Sequence, residues 1–321
     1  MRAALLRRET ALLGALILLF TVFSLFVDGF FDWFNLFERS RYWVVPGMIA
    51  VPMTFIIATA GIDLSVASMV ALSGIAFGMS HSAGAPAPLA ALIAVLTGLL
   101  AGCINGGVSS LVGVPPLVVT LATMALFRGA AMGLSKGAPI RDFPAGFQWI
   151  SQGDLVRVPF TNGVHVPVPV MGLLVTVLIG ALLLKKSWIG RYAESIGENE
   201  TAARFAAIDV RWLKFGIYAA CGAVCGVASL FHTALYATAK ADTAMGLELE
   251  AIACVVVGGT RISGGDASVV GALLGLLIIG ILRYGLEMAG VPSQYVIIVV
   301  GALLIATAVF NEWVGGRGEG R

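Results

Sequence analysis

The chain has 321 residues, of which 59% are apolar and 12% charged, with a formal net charge of +2 at neutral pH. Soluble domains carry about 25% charged residues, so too little polar surface exists here to cover a water-soluble fold. The near-neutral balance says nothing by itself about nucleic acid, which is not among the expected partners; the distribution of charge along the chain matters more.

A basic N-terminus, MRAALLRRET, precedes an apolar run from Ala11 to Val27. This order resembles a secretory signal, but no small-x-small cleavage site follows, and the run is expected to stay as a first membrane helix. About 20 apolar residues are needed to cross a bilayer. Ten candidate spans satisfy that template, at about 11–27, 43–60, 66–80, 88–112, 116–134, 167–184, 214–235, 247–259, 268–286 and 293–311. The third is short and the eighth shorter, so half-helices or re-entrant pieces, and a total of eight to ten crossings, fit as well. The expected fold is an all-α polytopic membrane protein, a single transmembrane domain over residues 1–321.

Only two polar segments are long. The first, about 135–166, contains Pro139, Pro144, Pro159 and Pro167 and reads as an irregular loop with short elements. The second, about 185–214, carries Lys185, Lys186, Arg191, Arg204, Arg211 and Lys214. Basic loops stay in the cytoplasm. Arg2, Arg7 and Arg8 before the first span agree with this, so both termini are expected inside, with 135–166 outside and 185–214 inside. The string ENETAARFAAI in the inner loop is rich in helix formers and predicts a short amphipathic helix on the cytoplasmic face. Two glycine-polar interruptions, AGIDLSVAS at 60–68 and GGTRISGGDAS at 258–268, look faintly alike and share an orientation on this count.

Catalytic machinery is missing from the pattern. The phosphate-loop string G-x-x-x-x-G-K-[ST] does not occur, and no catalytic residue, metal set or cofactor of the chain's own is expected. Gly133-Leu-Ser135-Lys-Gly137 matches a nucleophile elbow in letters only, because that turn needs a strand before the serine. Cys221 and Cys225 share a helix face without a completing histidine or carboxylate, which favours packing over zinc. Glycines spaced by four (Gly98, Gly102 and Gly106; Gly129 and Gly133; Gly222 and Gly226; Gly271 and Gly275) predict close helix–helix approach.

Polar residues at membrane depth are costly and point to structural partners or a transport path. Asp63 stands beside Gly61 and before Ser65, where it could cap a helix start or serve a discontinuous helix. Asn105 sits among glycines and suits an interhelical hydrogen bond or a solute contact. Arg128 lies in the outer half of the fifth span, either snorkelling, paired with a carboxylate, or functional. Glu248 and Glu250 open the eighth span, and Arg283 and Glu287 are spaced for a local i, i+4 ion pair.

Five strings, in order, resemble the ribose/xylose/galactose-type permeases of ATP-binding-cassette importers. They are GIDLSVAS at 61–68, GCING at 102–106, TLATMALFRG at 120–129, IGENETAARFAAI at 196–208 and LELEAIACVVVGGTRISGG at 247–265. The chain departs from the family pattern at Ala67 and Ala207, where glycine is usual, and at Leu247, Glu250, Cys254 and Arg261. PPLVVTLATMALFRG at 115–129 and LEMAGVPSQ at 286–294 are similar to the rhamnose-type and autoinducer-2-type branches. The resemblance implies a bacterial inner-membrane subunit that pairs with a second, identical or homologous permease. Two cytoplasmic ATPase domains, which would bind ATP and magnesium, and an extracytoplasmic sugar-binding protein complete such a system. It further implies that Gly197, Glu198, Asn199, Ala202, Ala203, Arg204 and Ile208 form the element coupled to the ATPase. Asp63, Ser65, Asn105, Thr120, Arg128, Glu248 and Glu250 are the candidates for the translocation path or its gating. A branched-chain amino-acid permease of the same superfamily, or a self-sufficient carrier or channel, are the competing readings.

Overall fold

A computed structural model describes residues 2–144, 146–157 and 165–316, with side chains described over 8–309; Pro159 of the outer loop lies outside the described residues. The elements in order are α1 (Arg2–Phe26), α2 (Trp33–Ala58), α3 (Val66–Ser82), α4 (Ala87–Gly106), α5 (Pro116–Ser135), the single turn α6 (Trp149–Gln152), α7 (Val168–Lys186), α8 (Trp188–Glu198), α9 (Glu200–Phe205), α10 (Val210–Tyr236), α11 (Leu247–Val257), α12 (Val269–Met288) and α13 (Ser293–Gly316). A small antiparallel pair, β1 (Asp154–Arg157) and β2 (His165–Pro167), lies in the segment before α7. The fold is all-α apart from that pair.

Seven helices among the described residues are long and apolar enough to cross a membrane: α1, α2, α4 with its continuation to Val112, α5, α7, α10 and α12. The other three expected spans are shorter. The apolar parts of α3 and α13 run over Val66–Ser82 and Ser293–Val309. The eighth is the 11-residue α11, which rises about 16 Å against a hydrocarbon core of about 30 Å and is a half-helix.

The centre of the molecule is α2, which packs against α7, α8, α10, α11 and α12. Its interior prolines, Pro46 and Pro52, each remove one backbone donor, which a helix enclosed by others tolerates. The expected glycine ridges are contacts in two places. A methyl group on Gly98 or Gly102 would collide with the carbonyl of Gly222 or Tyr218, so α4 and α10 meet backbone to backbone. Likewise Gly271 and Gly275 of α12 lie on the carbonyls of Gly258 and Cys254. Gly129 and Gly133 behave differently, for both face open space and their spacing reflects no packing within this chain.

The segment between α5 and α7 is tied down by side chains donating to backbone. Arg41, 6% exposed, donates to the carbonyls of Ser151 (2.9 Å) and Gly153 (3.0 Å) and pairs with Glu38 and Asp154. Ser151 Oγ donates to the carbonyl of Phe231 (2.6 Å), and Gln152 Nε2 reaches the carbonyl of Leu235 (3.1 Å), one of the last in α10, which lack a partner within the helix. The local Arg283–Glu287 pair expected from spacing does not form. Arg283 pairs instead with Glu250 (3.1 Å) and Glu287 with Arg39 (3.2 Å), because tertiary packing brings α11 and α2 nearer than one helical turn does.

Replacing Gly102 with Leu forces two backbones apart and is expected to cost about 3 kcal/mol of stability. Gly129→Leu, with open space around it, is expected to change stability by less than about 0.5 kcal/mol. Thermal unfolding of the two purified variants in one detergent checks the contrast.

Candidate functional site at the helix break

The chain leaves α2 through a left-handed residue, Ala60 (φ 59°), and runs extended to Ser65 before α3 begins. Of the two readings of Asp63, a cap for a helix starting at residue 64 does not hold, since α3 starts at Val66. The carboxylate instead closes an Asx-type turn by accepting from the Ser65 N–H (2.8 Å) and the Ser65 hydroxyl (2.7 Å). Asn105, reaching across from α4, donates its amide to Asp63 Oδ2 (3.2 Å) and to Ser65 Oγ (2.7 Å). Thr120 of α5 donates to the carbonyl of Ile62 (3.2 Å). Asp63, Ser65, Asn105 and Thr120 are all completely buried. Four of the seven path candidates thus form one cluster that stitches the break to α4 and α5. Tyr218 of α10, which sequence reasoning missed, belongs here too: its buried hydroxyl presses on Gly61 and has no hydrogen-bond partner among the described residues.

The second glycine-polar interruption meets the first. Gly265 N donates to the carbonyl of Ala58 (3.0 Å), the end of α2. Gly197 of α8 is wedged between them, and a side chain there would collide with Ala58 O and Gly265 N. The amphipathic element is therefore two helices, with the break at Asn199, whose side chain caps α9 by accepting from Ala202 N (2.9 Å). Gly190, Ala193 and Ile196 face inward from α8, and Ala203 (4% exposed) from α9. Of the coupling candidates, Gly197 and Ala203 face the protein's own interior. Glu198, Asn199, Ala202 and Arg204 are exposed, and Ile208 is half-buried. Beside them Phe205 is 89% exposed. Ala207 has φ 60°, which explains why glycine suits that position.

Arg128 neither snorkels freely nor pairs directly with a carboxylate. Its guanidinium donates to the carbonyls of Ala241 (2.6 Å) and Thr243 (2.7 Å), clamping the loop between α10 and α11. Glu248 accepts from Gly246 N (3.3 Å) at the start of its own helix, whereas Glu250 lines a cavity of about 470 Å³. Tyr42, Trp43, Tyr236, Arg283 and Tyr284 share that cavity, at the opposite end of α2 from the break. Neither Arg128 nor Glu248 joins the buried cluster or lines this cavity, although Arg128 holds the backbone of Thr243, which does line it.

The seven long apolar helices, the break and the half-helix make this a polytopic membrane protein. Residues 35–308 match the family described as "Branched-chain amino acid transport system / permease component", and the chain belongs to that permease family. It is similar to the autoinducer 2 import system permease protein LsrD of Escherichia coli strain K12, 34% identical over 321 residues, covering 96% of each chain. The protein of the same name from Salmonella typhimurium is 34% identical over 307 residues, covering 94% of this chain and 90% of that one. No solved structure matches the chain at a significant level.

Replacing Asn105 with Leu removes a donor from a buried carboxylate and is expected to cost about 2 kcal/mol or more in thermal unfolding. A second expectation concerns Glu194 on α8, outside the spanning helices. Burial first, then Asp266 and Glu198, push its carboxyl up to about 7, against an opposing hydrogen bond from Ala267. The unfolded chain releases that proton in the ordinary carboxylate range. Folding is therefore opposed increasingly as pH rises through that window, fully above about pH 7. Glu194→Gln is expected to raise the melting temperature near pH 8 and leave it unchanged near pH 4, checked by unfolding scans at both.

Proposed function

We propose that this chain is one membrane half of an ATP-binding-cassette importer. It passes a monosaccharide or a similarly small polyhydroxylated solute, of the size and chemistry of autoinducer 2, into the cytoplasm. Family membership and the import role carried in the names of its relatives support the class. The Lys/Arg bias supports ten crossings, counting the half-helix, with both termini in the cytoplasm. A second permease, two cytoplasmic ATPase domains and an extracytoplasmic binding protein complete the machine in this reading.

The single observation that carries the mechanism is the Gly197 wedge. An element meant to transmit force must touch the moving part without a compliant side chain between them. Here α8 meets the end of α2 and the 258–268 loop backbone to backbone. ATP-driven closure of the ATPase pair would push on the exposed side of α9, at Ala202, Arg204 and Phe205. The wedge would pass that displacement to Ala58, and the Asp63–Asn105 and Ile62–Thr120 bonds would carry it into α4 and α5. Discrete repacking of such a helix break is how alternating access is built. On the outer side, the cavity around Glu250 offers aromatic walls and paired charges, which suit the apolar faces and hydroxyls of a sugar.

Ala202→Trp is the test, because Ala202 is exposed and Ala203 is not. The variant is expected to insert and purify normally while ATPase capture and substrate-stimulated ATP hydrolysis fall by about tenfold or more. Ala203→Trp should instead lower the stability of the permease itself, by about 1–3 kcal/mol. Full assembly and full stimulation by Ala202→Trp in proteoliposomes holding all subunits would sink the coupling assignment.

A further inference from the structure

An apolar cleft of about 540 Å³ opens between α7 and α10 and plays no part in the reading above. Its floor is Pro52 and Phe55 of α2, and its walls include Leu183 of α7 and the exposed small residues Gly216 and Ala220 of α10. Trp188 and Trp212 close its lower end. Along α10 the lining runs from Asp209 to Val224, about 22 Å of helix, enough for an acyl chain crossing one leaflet of about 15 Å.

Three observations identify the occupant. The cleft opens beside α7, whose Leu174, Leu178 and Ile179 turn outward, so it faces hydrocarbon. Indole rings at one end mark the level of the headgroups. Beyond them, Ile208 and Asp209 line both this cleft and an adjoining hollow of about 390 Å³, which also holds Arg204 and Arg211. Arg204 is engaged by Glu200, and the Asp209 carboxylate caps α10 by accepting from Trp212 N (3.3 Å). Arg211 is exposed and makes no ion pair among the described residues. We propose that this cleft binds one acyl chain of an anionic phospholipid of the inner leaflet, with its phosphate held at Arg211. A lipid bound there would fill the gap between α7 and α10 at the level of the α8–α9 pair, whichever solute the permease carries.

The experiment is native mass spectrometry of the full chain in detergent with equal amounts of dioleoylphosphatidylglycerol and dioleoylphosphatidylcholine. The wild type is expected to retain one phosphatidylglycerol with about fivefold preference over phosphatidylcholine. Gly216→Phe fills the cleft without colliding with the protein, since nothing lies near a Cβ at that position, and should abolish retention. Ala220→Phe serves the same purpose should the first variant not be monodisperse. Arg211→Gln should keep a bound lipid and lose the preference. Equal retention of the two lipids by the wild type overturns the proposal, as does undiminished retention in the filling variant. So does a filling variant that loses a second protein copy rather than a lipid.

Discussion

A bilayer offers no water to the backbone, so every interruption of a helix must find its hydrogen bonds inside the protein. That constraint organises this molecule. The irregular stretch after α2 is satisfied partly by its own residues and partly by α4, α5 and the loop before α12. Ala58 O accepts from Gly265, Ile62 O from Thr120, Ser65 N donates to Asp63, and Asp63 is held in turn by Asn105. The break is thereby a junction. No part of it can shift without disturbing α4, α5, α8 or the loop that precedes α12.

The two ends of the protein are fastened by different chemistry. At the end that holds the Glu250 cavity, guanidinium groups hold loops by their carbonyls: Arg41 at Ser151 and Gly153, Arg128 at Ala241 and Thr243. A planar donor suits such paired acceptors. At the end that holds the break, contacts run between backbones, through Gly197, Gly258, Gly265, Gly271 and Gly275. Absent side chains leave little compliance there. In the proposed mechanism, a push on the amphipathic pair would reach helix ends while the loops at the other end stay clamped. Arg261 lies at the same end, where its guanidinium binds Asp266 (3.1 Å) within its own loop.

Much of this was legible in the order of residues. Apolar runs of sufficient length located every long helix, because hydrocarbon solvent enforces helical hydrogen bonding and tolerates few alternatives. The shortness of the 247–259 run foretold a half-helix, since rise per residue is constant. GIDLSVAS announced a break, because its glycine and polar residues carry local chemistry that acts within a few residues. Asp63 was singled out by its cost alone.

Partners distant in sequence were decided by the tertiary structure. Spacing suggested Arg283 with Glu287, yet each found a partner on another helix, since i, i+4 proximity is worth only a few tenths of a kcal/mol. Spacing also treated Gly98–Gly102 and Gly129–Gly133 alike. One pair packs against α10 and the other faces open space, because a four-residue repeat specifies a stripe on a helix and says nothing about what stands opposite. Ala202 and Ala203 are adjacent and chemically identical, but one points outward and one inward. The choice was made by where α9 lies against α10, a consequence of the whole bundle's packing that no local pattern of residues contains.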